Sequence, residues 1–205
     1  MSQQIWDPIF RARQGLRYWP SEDLIRFLSR WTQPEKARAL DLGTGTGASC
    51  WALWDHAGFD EIVAMDSSAE ALGIAKEYLE RRQAWADLLL GDIRALPFPE
   101  GYFDLVLDLQ CIQHLTKKEH LSAYQEVSRV MRPGAAFFSL HLGAGTRNYP
   151  RLFPACGPVW LPYASELMDV MKEAGLAVTS INTVERSYDD RSLRQQLYIL
   201  DAVKP

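Results

Sequence analysis

The stretch ALDLGTGTGASCWAL, Ala39 to Leu53, places Gly43, Gly45 and Gly47 between an apolar run and a run with helical character. Glycine lets the backbone turn sharply and lets a ligand come close to it. The helix start beyond the turn carries unpaired N–H groups, so the chemistry implied is that of holding a polar ligand. Asp41 stands just before the first glycine, and Asp66 follows Gly47 by 19 residues, where an acid grips the hydroxyls of an adenosine ribose. Its two oxygens can accept from both hydroxyls at once; the plainer alternative is a cap for the helix that follows. Asp92 can accept from an adenine amino group and Ile93 can pack on the base, with a loop-capping role as the alternative for Asp92. His114 and His141 are candidates for a general base near neutral pH. The remaining histidines, His56 and His120, read as solvent-facing helix positions and bystanders.

Elements must bring these residues together. Strands are expected in ARALDLG, EIVAMD, ADLLLGD, YFDLVLDLQ and AAFFSLHL, with helices at Ser21 to Trp31, Ala48 to His56 and Ser165 to Ala174. Ser67 with Glu70 reads as a capping box for a helix to about Arg82, and Thr116 with Glu119 as another for a helix to about Met131. Strands alternating with helices imply a parallel sheet covered on both faces. The closing strands, LAVTSINTVERSY and QLYILDAV, are separated only by DDRSLR, too short for a parallel crossover, so they should form an antiparallel hairpin. The expected fold is an α/β class, three-layer α/β/α sandwich with a mostly parallel seven-stranded sheet and an antiparallel last strand. One domain fills the 205 residues: an N-terminal helical or lid segment (1–35), a ligand-binding core (36–141), a loop (142–164), and a closing helix and hairpin (165–205). In such a sheet, ligands bind outside the carboxyl ends of the strands. Those ends carry the glycines, Asp66, Asp92, then Asp108, Leu109, Gln110 and His114, and finally His141.

Composition narrows the function. Hydrophobic residues make up 47% and charged residues 23%, ordinary for a soluble globular domain. A net charge of −4 gives no footprint for nucleic acid. No apolar run reaches the length that spans a membrane, and the N-terminus lacks a secretory core, so a cytoplasmic protein is expected. Cys50, Cys111 and Cys156 form no CxxC pair and read as small buried hydrophobes in a reducing compartment.

The glycines fit two ligands. Gly43, Gly45 and Ala48 satisfy a loose dinucleotide pattern, but Asp41 beside the turn suits an ammonium better than a pyrophosphate. LDLGTGTG, VAMDSS, GDIRALPFPEGYFDLVLDLQCIQHL and EVSRVMRPGAAFFSL resemble, in order and spacing, the motifs of class I S-adenosylmethionine-dependent methyltransferases of the compact small-molecule kind. The resemblance covers roughly Lys36 to His141. It implies that Gly43, Gly45 and Thr46 line the methionine tail of S-adenosylmethionine, that Asp66, with Ser67 beside it, takes the ribose, that Asp92 and Ile93 take the adenine, and that Gln110 lies by the methionine moiety.

A sulfonium is already a strong methyl donor, so alignment for in-line displacement is the main requirement, and no metal is needed. A hydroxyl acceptor must also lose a proton. His114 is the candidate base, His141 the reserve, and packing alone is the alternative for His114; a base would give a rate limb near the ordinary histidine value of about 6.5. The segment IWDPIFRARQGLRYWP mixes Trp6, Phe10, Tyr18 and Trp19 with Arg11, Arg13 and Arg17, and reads as a partial lid, with a permanently packed helix as the alternative. Tyr18 is the expected contact for the methionine carboxylate. The loop GAGTRNYPRLFPACGPVWLPY is the expected acceptor wall, lined by Arg147, Tyr149, Phe153, Trp160 and Tyr163. The expected partner is a small-molecule acceptor, with the protein a monomer or homodimer. An NAD(P)-dependent oxidoreductase and a non-catalytic S-adenosylmethionine-binding protein remain as alternatives.

Overall fold

The computed structural model describes residues 2–12, 16–32, 34–147, 159–187 and 194–205. Arg13 of the expected lid, Tyr149 and Phe153 of the expected acceptor wall, and Cys156 lie outside these residues.

The strands are β1 (Arg38–Leu42), β2 (Glu61–Asp66), β3 (Asp87–Leu90), β4 (Phe103–Leu109), β5 (Met131–Leu142), β6 (Ala177–Ser187) and β7 (Arg194–Val203). They form one sheet in the order β3-β2-β1-β4-β5-β7-β6. The pairings among β1 to β5 are parallel, whereas β7 runs antiparallel between β5 and β6. The expected hairpin is therefore present, with Ala177 opposite Val203.

The helices are α1 (Ser2–Ala12), α2 (Glu22–Leu28), α3 (Ala48–Ala52, continued by a wider turn at Leu53–Ala57), α4 (Ala69–Glu80), α5 (Lys117–Val130) and α6 (Ala164–Glu173). Alternate strand residues point to opposite faces, and two cores follow. Leu40, Val106 and Phe137 pack with Tyr124, Val127, Leu167 and Met171 from α5 and α6. Ala39, Leu105, Leu107 and Phe138 pack with Leu24, Phe27, Leu53 and Leu79 from the helices on the other face. This is the three-layer arrangement expected from the sequence.

Two boundaries carry chemistry. The cap of α4 is Ser68, whose hydroxyl accepts from Ala71 N–H at 3.1 Å, one residue later than the expected Ser67. The reason is Asp66: its carboxylate takes the Ser68 N–H at 2.9 Å, which leaves Ser67 in the turn. The Thr116–Glu119 capping box is present at the start of α5. Among the described residues, no helix is long and apolar enough to cross a membrane. Strand order reverses between β1 and β4, and the crevice at their carboxyl ends receives the glycine turn and the loop after β4.

Candidate active site

The turn after β1 is built so that another loop can press on it. Gly43, Gly45 and Gly47 have φ of 64°, 56° and 80°, a region that side-chain-bearing residues rarely adopt. A Cβ on Gly43 would lie 2.4 Å from Cys111 Sγ, so the loops after β1 and β4 touch there and only glycine fits. Gly47 starts α3, and a Cβ there would meet Ala75 of α4 at 3.1 Å. The Thr46 hydroxyl donates to the Arg17 carbonyl, so this side chain is engaged with the N-terminal segment.

Three carboxylates surround this contact. Asp41 is buried, and burial pushes it up to about 7 against the hydrogen bonds of Thr44 and Cys50. Asp66 accepts from Gly45 N–H on one oxygen and from Ser68 N–H on the other, both at 2.9 Å. Burial also raises Asp66 above the ordinary carboxylate value. Asp108 holds the loop after β4: one oxygen takes Cys111 N–H at 2.8 Å and Ile112 N–H at 3.1 Å, and the other takes the Ser139 hydroxyl at 3.0 Å. Burial lifts Asp108 to about 6. Its place at a strand end was visible in the sequence; its shaping of the loop was not.

Gln110 has φ of 71°, unusual for a residue with a side chain, and its Nε2 is buried without a partner. Backbone strain and an orphaned buried donor are features that gather at functional sites. Asp92 is not free: Arg94 clamps it with Nε at 2.9 and 3.1 Å on its two oxygens, holding it below the ordinary carboxylate value. Arg94 also pairs with Glu119, so the loop after β3 is tied to the capping box of α5. Ile93 is partly buried against the core.

The other side of the crevice is neutral and aromatic. His114 ends a short turn, Ile112–His114, and the edge of Trp6 lies on its ring at 4.8 Å. Burial pushes His114 down to about 4, below the ordinary histidine value of about 6.5. His141 is fully buried with Nδ1 at 2.8 Å from the Leu142 carbonyl, and burial pushes it to about 3. His120 is not the solvent-facing bystander expected. It shares the buried face of α5 with Ala123, Tyr124 and Val127, its Nδ1 lies 2.8 Å from the Thr116 carbonyl, and its ring packs on Trp160 at 4.3 Å. A neutral imidazole whose N–H is satisfied locally is tolerated inside.

Several expected contacts lie elsewhere. The Tyr18 ring is paired with Tyr78 on α4, and its carbonyl accepts the Tyr78 hydroxyl, one residue after the Arg17 carbonyl that takes the Thr46 hydroxyl. Tyr163 is 68% exposed and precedes α6, and its N–H donates to Glu166. Arg147 is exposed and bridges the backbone of Arg194. Only Trp160 of the expected acceptor wall, among the described residues, faces the histidines.

The N-terminal helix covers the crevice. Asp7 accepts from the Ser68 hydroxyl at 2.5 Å, Arg11 pairs with Glu70 at 2.6 Å, and Phe10 stands over Gly45, where a Cβ would lie 3.6 Å from its ring. Behind it, Trp19 lies against Trp51, and Arg82 sits over both rings.

Residues 39–134 match a family described as a methyltransferase domain. Over those residues the chain is similar to methyltransferase domains, and two curated methyltransferases share the similarity. Norajmaline N-methyltransferase of Rauvolfia serpentina is 34% identical over 121 residues, 56% of this chain and 39% of that protein. Demethylmenaquinone methyltransferase of Thermus thermophilus is 38% identical over 102 residues, 49% of this chain and 46% of that one. The chain thus spans less than half the length of both curated relatives. The phosphoethanolamine N-methyltransferase 2 of Haemonchus contortus, solved with S-adenosylhomocysteine, shares the fold at a TM-score of 0.71 and 16% identity, over 90% of this chain and 52% of that one.

The crevice carries groups that suit S-adenosylmethionine. The Cβ-free turn, the buried carboxylates and the orphaned Gln110 amide match a ligand with hydroxyls, a cationic centre and a carboxylate. The match over residues 39–134 favours a methyltransferase over the oxidoreductase alternative.

Proposed function

We propose that the protein transfers a methyl group from S-adenosylmethionine to an oxygen or nitrogen of a small-molecule acceptor. The observation that carries this reading is the pinch between Gly43 and Cys111, flanked by Asp66 and the strained Gln110 at the point where strand order reverses. When bound, S-adenosylmethionine supplies a methyl on a sulfonium, an electrophile that needs alignment more than activation.

The chain's own residues do the rest. Each Asp66 oxygen already takes one backbone N–H, which leaves each a lone pair for one ribose hydroxyl. Asp92, held by Arg94, and Ile93 border the adenine. The Gln110 amide donates to the methionine end, and Asp41 gives up its proton when an ammonium arrives beside it. Trp6 and Phe10 on α1 roof the site and exclude water. On the acceptor side, His114 and Trp160 meet a neutral, planar or amphipathic molecule. The similarity to a norajmaline N-methyltransferase and the lack of any basic footprint both favour such an acceptor over a nucleic acid.

Calorimetry with S-adenosylmethionine, followed by a panel of amine, phenol and carboxylic acid acceptors scored by S-adenosylhomocysteine release, tests the proposal. Cofactor binding with turnover on a panel member supports it. Absence of cofactor binding by the folded protein defeats it, and binding without turnover on any acceptor favours the non-catalytic alternative.

A further inference from the structure

Gln113 is fully buried and reaches three parts of the acceptor side. Its side-chain Oε1 accepts Leu142 N–H at 2.9 Å, beside His141. Its backbone carbonyl accepts Trp160 N–H at 3.0 Å. Its Nε2 lies 3.4 Å from His114 Nε2. The first contact settles the amide's orientation, because a backbone N–H can only donate and must face the amide oxygen. The NH₂ group therefore faces His114. An NH₂ group can only donate, so the imidazole nitrogen it meets must accept, and the ring's proton belongs on Nδ1.

We propose that Gln113 is a positioning residue that locks His114 in the Nδ1–H tautomer and so withholds its Nε2 lone pair from the acceptor. His120 and His141 share that tautomer for a different reason, since in each Nδ1 donates to a backbone carbonyl at 2.8 Å. All three imidazoles on this wall are thus tautomer-fixed, one by a side chain and two by the main chain.

The consequence for substrate class rests on the methyl-transfer reading; the tautomer does not. With its Nε2 lone pair taken by Gln113, His114 is not placed to act as a base. The acceptor must then bring its own lone pair: an amine arriving neutral, or an acid already ionised. An amine forms the new N–C bond as the C–S electron pair withdraws to sulfur, and its surplus proton leaves to solvent after transfer. A neutral alcohol, which must lose its proton during transfer, is disfavoured.

Long-range ¹H–¹⁵N spectra of the full-length ¹⁵N-labelled chain test the lock, with His114 assigned by the signal missing in His114→Asn. The expected result is a pyrrole-like Nδ1 and a pyridine-like Nε2 for His114, as for His120 and His141. Gln113→Glu keeps an oxygen for Leu142 N–H but replaces the NH₂ donor by an acceptor. His114 should then move its proton to Nε2, while His120 and His141 stay unchanged. A protonated Nε2 on His114 in the parent protein overturns the proposal, as does a Gln113→Glu spectrum in which His114 is unaltered. Should that variant not fold, the parent spectrum decides alone. Cofactor calorimetry is independent of the tautomer, so failure of this inference and failure of the methyltransferase reading are separable.

Discussion

The two sides of the crevice solve opposite problems. Toward β2 and β3 the polar groups are charged and clamped: Asp66 by two backbone N–H groups, Asp92 by Arg94. Toward α5 and β5 the polar groups are neutral imidazoles and an amide, packed among Trp6 and Trp160. A cofactor with hydroxyls and charges needs acceptors already in place, because building them at binding costs ordering entropy. An acceptor molecule that differs from enzyme to enzyme is better met by shape and a few fixed donors. The difference teaches where each kind of substitution should act: on affinity for the cofactor on the first side, on acceptor handling on the second.

The sharpest way to break this division is at the contact joining the two sides. Gly43→Ala forces a Cβ to within 2.4 Å of Cys111 Sγ at a φ of 64°. Left-handed backbone costs a side-chain-bearing residue roughly 1–2 kcal/mol, and overpacking adds about 1–3 kcal/mol. Cofactor binding should be lost in calorimetry and the thermal midpoint should fall; a variant that binds normally would show the contact to be incidental.

Asp66→Ala comes next. It removes two charge-assisted hydrogen bonds to the ribose, each worth about 1.5–3 kcal/mol, and should weaken S-adenosylmethionine strongly while leaving acceptor discrimination unchanged. Unaltered affinity in the folded variant would count against the ribose assignment.

His114→Ala should act only on the other side. Acceptor KM should rise by roughly tenfold as the packing of this ring with Trp6 is lost, with kcat and cofactor affinity little changed. Burial lowers this histidine to about 4, so the ring is protonated only below that value and neutral above it. The rate profile of the parent should therefore show no His114 limb between pH 5 and 8, roughly the window an unperturbed imidazole would occupy. A limb near neutrality that disappears in the variant would restore the base reading.

The smallest effect is expected at the roof. Asp7→Ala removes the contact to Ser68 and should speed proteolysis within α1, with S-adenosylhomocysteine restoring part of the protection. Equal cleavage with and without ligand would make α1 a permanently packed helix.

The elements around the crevice were largely legible in the sequence because their signals are local. Glycines before a helix, an acid at the end of β2 and a Thr116–Glu119 box each follow from neighbours a few residues apart. The wall toward α5 and β5 was less so. His120 lies on the buried face of α5 because residues 123, 124 and 127 set that face, a periodicity the polar side chain obscured. The partners of Tyr18 and Tyr163, Tyr78 on α4 and Glu166 at the start of α6, are not named by composition.

The amino-acid sequence by itself determined the alternation of strands and helices, the antiparallel closing pair and the carboxylates at the strand ends, since each depends on short-range periodicity and turn chemistry. Only the tertiary structure decided that Cys111 presses on Gly43, that Arg94 ties Asp92 to α5, and that Gln113 joins His114 to the end of β5, 29 residues away. Such meetings depend on strand order and on the buried partner each polar group must find. A residue type alone names the hydrogen bonds a side chain can make; the packed sheet and helices choose which of them are made.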